Sequence, residues 1–181
     1  MLRNKAIALL SATTLGLSSL ALAQEEETSW KAQEVRAAAE VRNARGEVLG
    51  TVYFIQGPRG TLVLGHLTGL APGPHGLHVH EVGRCEPPGF TSAGGHYNPS
   101  GCKHGFLNPK GPHAGDLPNL WADKSGEVTF EFFAYKLTNL KKALEGDGAA
   151  LVVHDMEDDY LTDPAGGSGA RIACGVLVRT P

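Results

Sequence analysis

His78 and His80 stand one residue apart in GLHVHEVGRC, residues 76–85. Side chains alternate along an extended strand, so both imidazoles would project to one side and Val79 to the other. Two imidazoles fixed at that spacing by the backbone make a rigid half of a metal site. Taken alone the pair is a weak signal, because two solvent-facing histidines on a strand satisfy the same pattern.

A second group of residues changes that reading. The stretch AGGHYNPSGCKHGFLNPKGPHAGD supplies His96, His104, His113 and Asp116, and LVVHD supplies His154. Six of the eight histidines in the chain thus fall, with one carboxylate, at strand ends or in loops. These are metal-ligand residue types, and chance clustering explains their grouping poorly.

The elements that must position these residues read as β structure. GEVLGTVYFIQ and GTLVLGHLTGL are rich in Val, Leu and aromatics, and turn clusters separate such segments: Asn43-Ala44-Arg45-Gly46, Gly57-Pro58-Arg59-Gly60 and Ala71-Pro72-Gly73-Pro74. With 24 glycines and 11 prolines, the pattern predicts an all-β sandwich or barrel. Only residues 136–146, KLTNLKKALEG, look helical, and a loop with one turn fits them equally. Residues 87–118 show no hydrophobic period. A loop of that length is unusual in a compact domain unless it is functional, and metal–ligand bonds can order a segment too polar to pack itself.

The N-terminus carries Arg3 and Lys5, then the apolar run AIALLSATTLGLSSLALA ending in Ala21-Leu22-Ala23. This is the pattern of a secretory signal peptide, residues 1–23, cut after Ala23. A retained membrane anchor is the competing reading, disfavoured by the Ser, Thr and Gly that dilute the run. Residues 24–35 are acidic and apolar-poor and read as a tail, with Trp30 placed to dock at the edge of a domain spanning 36–181. Losing Arg3 and Lys5 takes the net charge from −3 to −5, and no basic stripe points to nucleic acid. Export permits a disulfide, and of the three cysteines, Cys85, Cys102 and Cys174, two can pair and one is left over.

The motifs GLHVHE, GGHYNP, KHG, HAGDL, LVVH and GARIACGV, running from about Ala38 to Val178, resemble the copper/zinc superoxide dismutase family. The spacing from His78 to Cys85 resembles its bacterial exported branch. The resemblance implies a Greek-key β-sandwich or barrel with long metal-binding and electrostatic loops. It implies copper on His78, His80, His96 and His154, and zinc on His96, His104, His113 and Asp116, with His96 bridging. Superoxide would be converted to oxygen and hydrogen peroxide by redox cycling of copper, with His96 handling a proton, as antioxidant defence outside the cytoplasm.

The resemblance further implies that Asp158 hydrogen-bonds one histidine of each site, with Asp159 the fallback, and that His75 supports the copper strand without touching metal. It pairs Cys85 with Cys174, makes Arg171 the residue that attracts the anion, and offers no role for Cys102, for which a free thiol, a crosslink and a metal ligand all stay open. His66 reads as a strand histidine; Trp121, Phe130 and Tyr135 read as core or interface packing. One departure stands out: between Asp158 and Arg171 there is no lysine, which leaves Lys103, Lys110 and Lys124 as the other candidates for steering. The chain is expected to leave the membrane once the signal is removed, for a periplasm, cell envelope or medium, with monomer and homodimer both open. A copper-delivery module without turnover is the alternative function.

Overall fold

The computed structural model describes residues 36–181; the expected signal peptide, the tail and Trp30 lie outside the described residues. Ten strands follow in chain order: β1 Arg36–Asn43, β2 Val48–Gly57, β3 Gly60–Leu67, β4 Gly73–His75, β5 Leu77–His80, β6 Leu120–Ala122, β7 Val128–Ala134, β8 Ala150–His154, β9 Arg171–Val176 and β10 Val178–Thr180. All pair antiparallel. The large sheet runs β5-β8-β9-β1-β2-β3-β7, with β10 also on β1, and β4 pairs with β6 in a two-stranded ribbon. Since β4 leads into β5 and β6 into β7, the ribbon links the two ends of the curled sheet. The non-sequential neighbours β9–β1, β3–β7 and β5–β8 are the Greek-key crossings the family resemblance implies.

Alternation explains the long strands. Along β1, Ala37, Ala39 and Val41 are buried while Arg36, Glu40 and Arg42 are exposed. Val52 and Phe54 of β2, Val63 and Leu67 of β3, and Phe130 of β7 fill the same interior. The first turn cluster closes β1 to β2 through Asn43, whose Oδ1 accepts from the backbone N–H of Arg45 and Glu47, while Gly46 takes φ 81°, a left-handed value that glycine adopts without strain. The third cluster differs from expectation: Gly73 and Pro74 begin β4 rather than a turn. Pro74 opposes the edge-strand residue Trp121, where its missing N–H costs little.

Five consecutive buried residues form β8, without alternation. The reason is that both of its faces are covered. Leu151 and Val153 point into the barrel, whereas Ala150 and Val152 pack outside it against Phe90, Ala93 and Cys174. The loop after β5 is therefore a lid on the outer face of the sheet. The segment 136–146 contributes only one turn of helix, α1 Leu140–Ala143, capped by Asn139 Oδ1 accepting from Lys142 N at 2.9 Å.

The loop also hydrogen-bonds the free edge of β5. Val79 N donates to Gly115 O and Val79 O accepts from Tyr97 N, both at 2.8 Å, and Glu81 N donates to Gly95 O at 2.9 Å. Bridges pair His78 with Asp116 and His80 with His96. Residues 87–118 thus lack repetitive structure of their own but run as an irregular strand beside β5, carrying His96 and Asp116 to face His80 and His78.

Candidate metal centre

On β5, Leu77 and Val79 belong to the barrel core and His78 and His80 point outward under the loop, both buried. The solvent-facing alternative for this pair does not hold. In β8, register sets Val152 opposite His78, so His154, two residues on, emerges on the same outer face. Between Val153 and His154 the register with β9 shifts: Val153 opposes Ala173 but His154 opposes Arg171. Ile172 is the extra residue of this β-bulge, and both Ile172 and Ala173 pack on the core.

His78, His80, His96 and His154 bring one ligand atom each within 4.8 Å of one another. His78 Nδ1 and the Nε2 atoms of His80, His96 and His154 are buried and have no hydrogen-bond partner. Buried polar atoms are nearly always satisfied, so four orphans converging on one point mark the place of a cation. The opposite nitrogen of each ring is held. His78 Nε2 donates to Asp158 Oδ2 at 2.8 Å and His80 Nδ1 to Gly94 O at 3.0 Å, while His154 Nδ1 faces Gly169 O at 3.4 Å. Those contacts fix the tautomer and leave the lone pair aimed inward.

His96 presents its other nitrogen to a second cluster. Its Nδ1 lies 3.0 Å from Asp116 Oδ1, His104 Nδ1 lies 3.1 Å from the same oxygen and His113 Nδ1 3.3 Å from it. His113 Nδ1 is also 3.3 Å from His96 Nδ1. A tetrahedral zinc with bonds of about 2.0 Å separates its ligand atoms by about 3.3 Å, so this donor set fits the metal. The ligand atoms that all lie within 4.8 Å of one another on this side are those of His96, His104 and Asp116 with His78, not His113. His113 is nonetheless the better fourth member, because it lies 3.3 Å from both Asp116 Oδ1 and His96 Nδ1, whereas His78 Nε2 is committed to Asp158 and its Nδ1 belongs to the first cluster.

Asp158 joins the two halves. Buried, it accepts from His78 with Oδ2 and from His104 Nε2 with Oδ1 at 2.9 Å. Asp159, the fallback, instead accepts the backbone N–H of Leu161 and Thr162. Gly166, at φ 63°, roofs the carboxylate so closely that a Cβ there would fall 1.8 Å from Asp158 Oδ1. His75 is buried beneath, its Nδ1 2.7 Å from His154 O and its Nε2 2.8 Å from Ala71 O, touching none of the converging atoms.

The electrostatics follow the geometry. Burial pushes His78 down to about 3, His80 to about 2 and His154 to about 4, with neighbouring imidazoles adding to the fall, and burial also lowers His96. All four rings are neutral, as ligands must be. For His104, burial opposes protonation, but hydrogen bonds to Asp116 and Asp158 outweigh it and raise the group to about 9. Burial likewise opposes ionisation of Asp116 and Asp158, and the histidines outweigh it, holding both carboxyls well below the usual range.

Arg171 is half-buried at the rim. Its Nη1 donates to Phe90 O at 2.8 Å and its Nη2 to Gly94 O at 2.7 Å, the carbonyl that also accepts from His80. Cys85 and Cys174 form a disulfide beneath those carbonyls, with Cα atoms 5.6 Å apart, and Cys102 is free. Lys103 Nζ donates to Asp163 Oδ2 at 2.8 Å, so its charge is partly neutralised. His66 contacts Thr129 on the outer sheet face. Of the aromatics read as packing, Phe130 is in the core, but Trp121 is 64% exposed, since it alternates outward between buried Leu120 and Ala122, and Tyr135 is exposed too. Sequence reasoning passed over Asn119 and Tyr160, which contact Asp158; only the position of Tyr160, two residues after that carboxylate, hinted at it.

The sequence model of the family described as "Copper/zinc superoxide dismutase (SODC)" matches residues 48–177. The chain is 45% identical over 150 residues to "Superoxide dismutase [Cu-Zn] 2" of Aquifex aeolicus (strain VF5), covering 80% of this chain and 88% of that one. Among solved structures, it resembles a SOD-like protein from Bacillus subtilis, with a TM-score of 0.72, 39% identity and coverage of 78% of this chain and 97% of that one. It also resembles the Cu/Zn superoxide dismutase from Brucella abortus, with a TM-score of 0.67, 36% identity and coverage of 79% and 99%. Fold, disulfide and histidine clusters agree with these likenesses: the chain belongs to the copper/zinc superoxide dismutase family.

Proposed function

We propose that this chain is a superoxide dismutase whose copper is held by His78 Nδ1 and the Nε2 atoms of His80, His96 and His154, and whose zinc is held by His96, His104, His113 and Asp116. The four orphaned buried nitrogens carry the reading. When bound, copper supplies one-electron chemistry in both directions, which converts two superoxide ions to oxygen and peroxide.

The chain's own groups do the rest. The two hydrogen bonds from Arg171 to Phe90 O and Gly94 O fix its guanidinium at the rim, and the remaining N–H donors attract and orient the anion. His96 Nε2 takes up and releases a proton, while its Nδ1 stays anchored on the Asp116 side. Asp158 and Gly94 O keep His78 and His80 in the tautomers that leave the inward nitrogens free.

The disulfide and the bacterial relatives are compatible with export. We assign residues 1–23 as a cleaved signal peptide and the mature chain to the periplasm, envelope or medium as a soluble monomer or homodimer. Among the described residues no helix is long and apolar enough to cross a membrane. Superoxide consumption by the purified protein, measured with its copper and zinc content, tests the function. A fully metallated but inactive protein would favour the copper-delivery reading.

A further inference from the structure

Two residues outside the ligand set fasten the carboxylate that joins the two clusters. Buried Asn119 grips the backbone of Asp158 at two points: its Oδ1 accepts from Asp158 N and its Nδ2 donates to Asp158 O, both at 2.9 Å. Tyr160 closes the circuit. Its backbone N–H donates to Asp158 Oδ1 at 2.7 Å, and its hydroxyl oxygen accepts the backbone N–H of Asn119 at 2.6 Å. Asn119 also lies three residues after Asp116, so one short segment carries both the carboxylate of the second cluster and the clamp on Asp158.

Tyr160 adopts φ 59°, a left-handed conformation that is uncommon for a bulky side chain. Such a residue persists only where its surroundings over-determine it. Here Leu107 N donates to Tyr160 O at 2.9 Å, and the Tyr160 ring lies 5.4 Å from that of Phe106. Gly105 passes so close that a Cβ there would fall 2.0 Å from Tyr160 O. The chain bends back at this residue, with its N–H on Asp158 and its hydroxyl on Asn119.

We propose that Asn119 and Tyr160 are positioning residues that lock the Asp158 carboxylate, and through it His78 and His104, so that the zinc set is held ready by groups that touch neither metal. The proposal rests on the ligand assignment above. Its test is zinc release to a chelator from the copper- and zinc-loaded protein, with the absorption of a Co(II)-substituted zinc site as a second readout.

Tyr160→Phe keeps the ring and removes the hydroxyl acceptor. Zinc affinity should fall about tenfold, the size typical of losing a group that orients a ligand, and the Co(II) bands should shift. Combined with Asp158→Asn, it should add little to the loss that Asp158→Asn causes alone, because Tyr160 acts through that carboxylate. Phe106→Leu, which loosens the packing of the ring but leaves the hydroxyl network, should lower thermal stability with zinc affinity unchanged. Zinc affinity in Tyr160→Phe close to wild type, additive losses in the double variant, or an equal loss in Phe106→Leu would each overturn the lock. Failure of the ligand assignment reads differently: His113→Ala would then retain zinc, whatever Tyr160→Phe does.

Discussion

Arg171 stands opposite His154 across the β8–β9 ladder because Ile172 is an extra residue in β9. Cys174 and Val152 oppose each other on the outer face, so strict alternation would turn residue 171 into the barrel. The bulge sends Ile172 and Ala173 inward together and returns Arg171 to the side of the histidines.

On that placement we propose Arg171 as the cation that attracts the anionic substrate. Arg171→Leu should lower the second-order rate about tenfold or more, equivalent to about 1.4 kcal/mol, and Arg171→Glu further, with metal content unchanged in both. Wild-type activity should fall as salt screens the guanidinium. A near-normal rate and salt dependence in Arg171→Leu would shift steering to a lysine, and Lys110 before Lys103, whose ammonium is paired with Asp163.

The two clusters should separate in metal analysis. His78→Ala removes one of the four orphaned nitrogens and should lose copper and activity while keeping most zinc. His113→Ala should lose zinc and loosen residues 87–118. Equal loss of both metals in each variant would contradict two sites.

The Cys85–Cys174 bridge closes a loop of 89 residues, for which chain entropy gives about 4 to 5 kcal/mol at the upper end. Cys174→Ser should lower the unfolding midpoint and also the rate, because Phe90 O and Gly94 O, which hold Arg171, belong to the loop that the bridge fastens. Peptide mapping without reduction should find Cys102 as a thiol.

Without metals, stability should peak near pH 6.5. His78, His80 and His154 have folded values below their ordinary one, so the unfolded chain binds more protons below about pH 6.5 and stability falls as pH drops. His104 is raised to about 9, so its contribution is complete below about 6.5 and is lost as pH rises through 9. Denaturant midpoints of the metal-free protein across pH 5–10 check this, and a midpoint still climbing at pH 9 would contradict the His104 assignment.

Residue type and strand alternation made the histidines legible as candidate ligands, because six of the eight in the chain fall with a carboxylate at strand ends or in loops. The bulge at Ile172 was not legible: nothing in RIACGV distinguishes it from a regular strand, and only pairing with β8 creates it. β4 was hidden by Pro74, a residue that reads as a turn until its partner on β6 is known. Alanine-rich β1 has little intrinsic strand preference and owes its form to β2. Asn119 and Tyr160 act through backbone contacts between segments about 40 residues apart, a relation that no local spacing encodes.

The loop's hydrogen bonds to Val79 and Glu81 have a consequence for solubility. β5 is the last strand of the large sheet, and residues 95–115 occupy the side on which another strand would otherwise pair. Bound metal would pin that loop in place through His96, His104, His113 and Asp116. Loss of the metal would bare the β5 edge with unmatched N–H and C=O groups, a template for strands of other molecules. Depletion of zinc should therefore promote self-association at concentrations where the loaded protein stays dispersed.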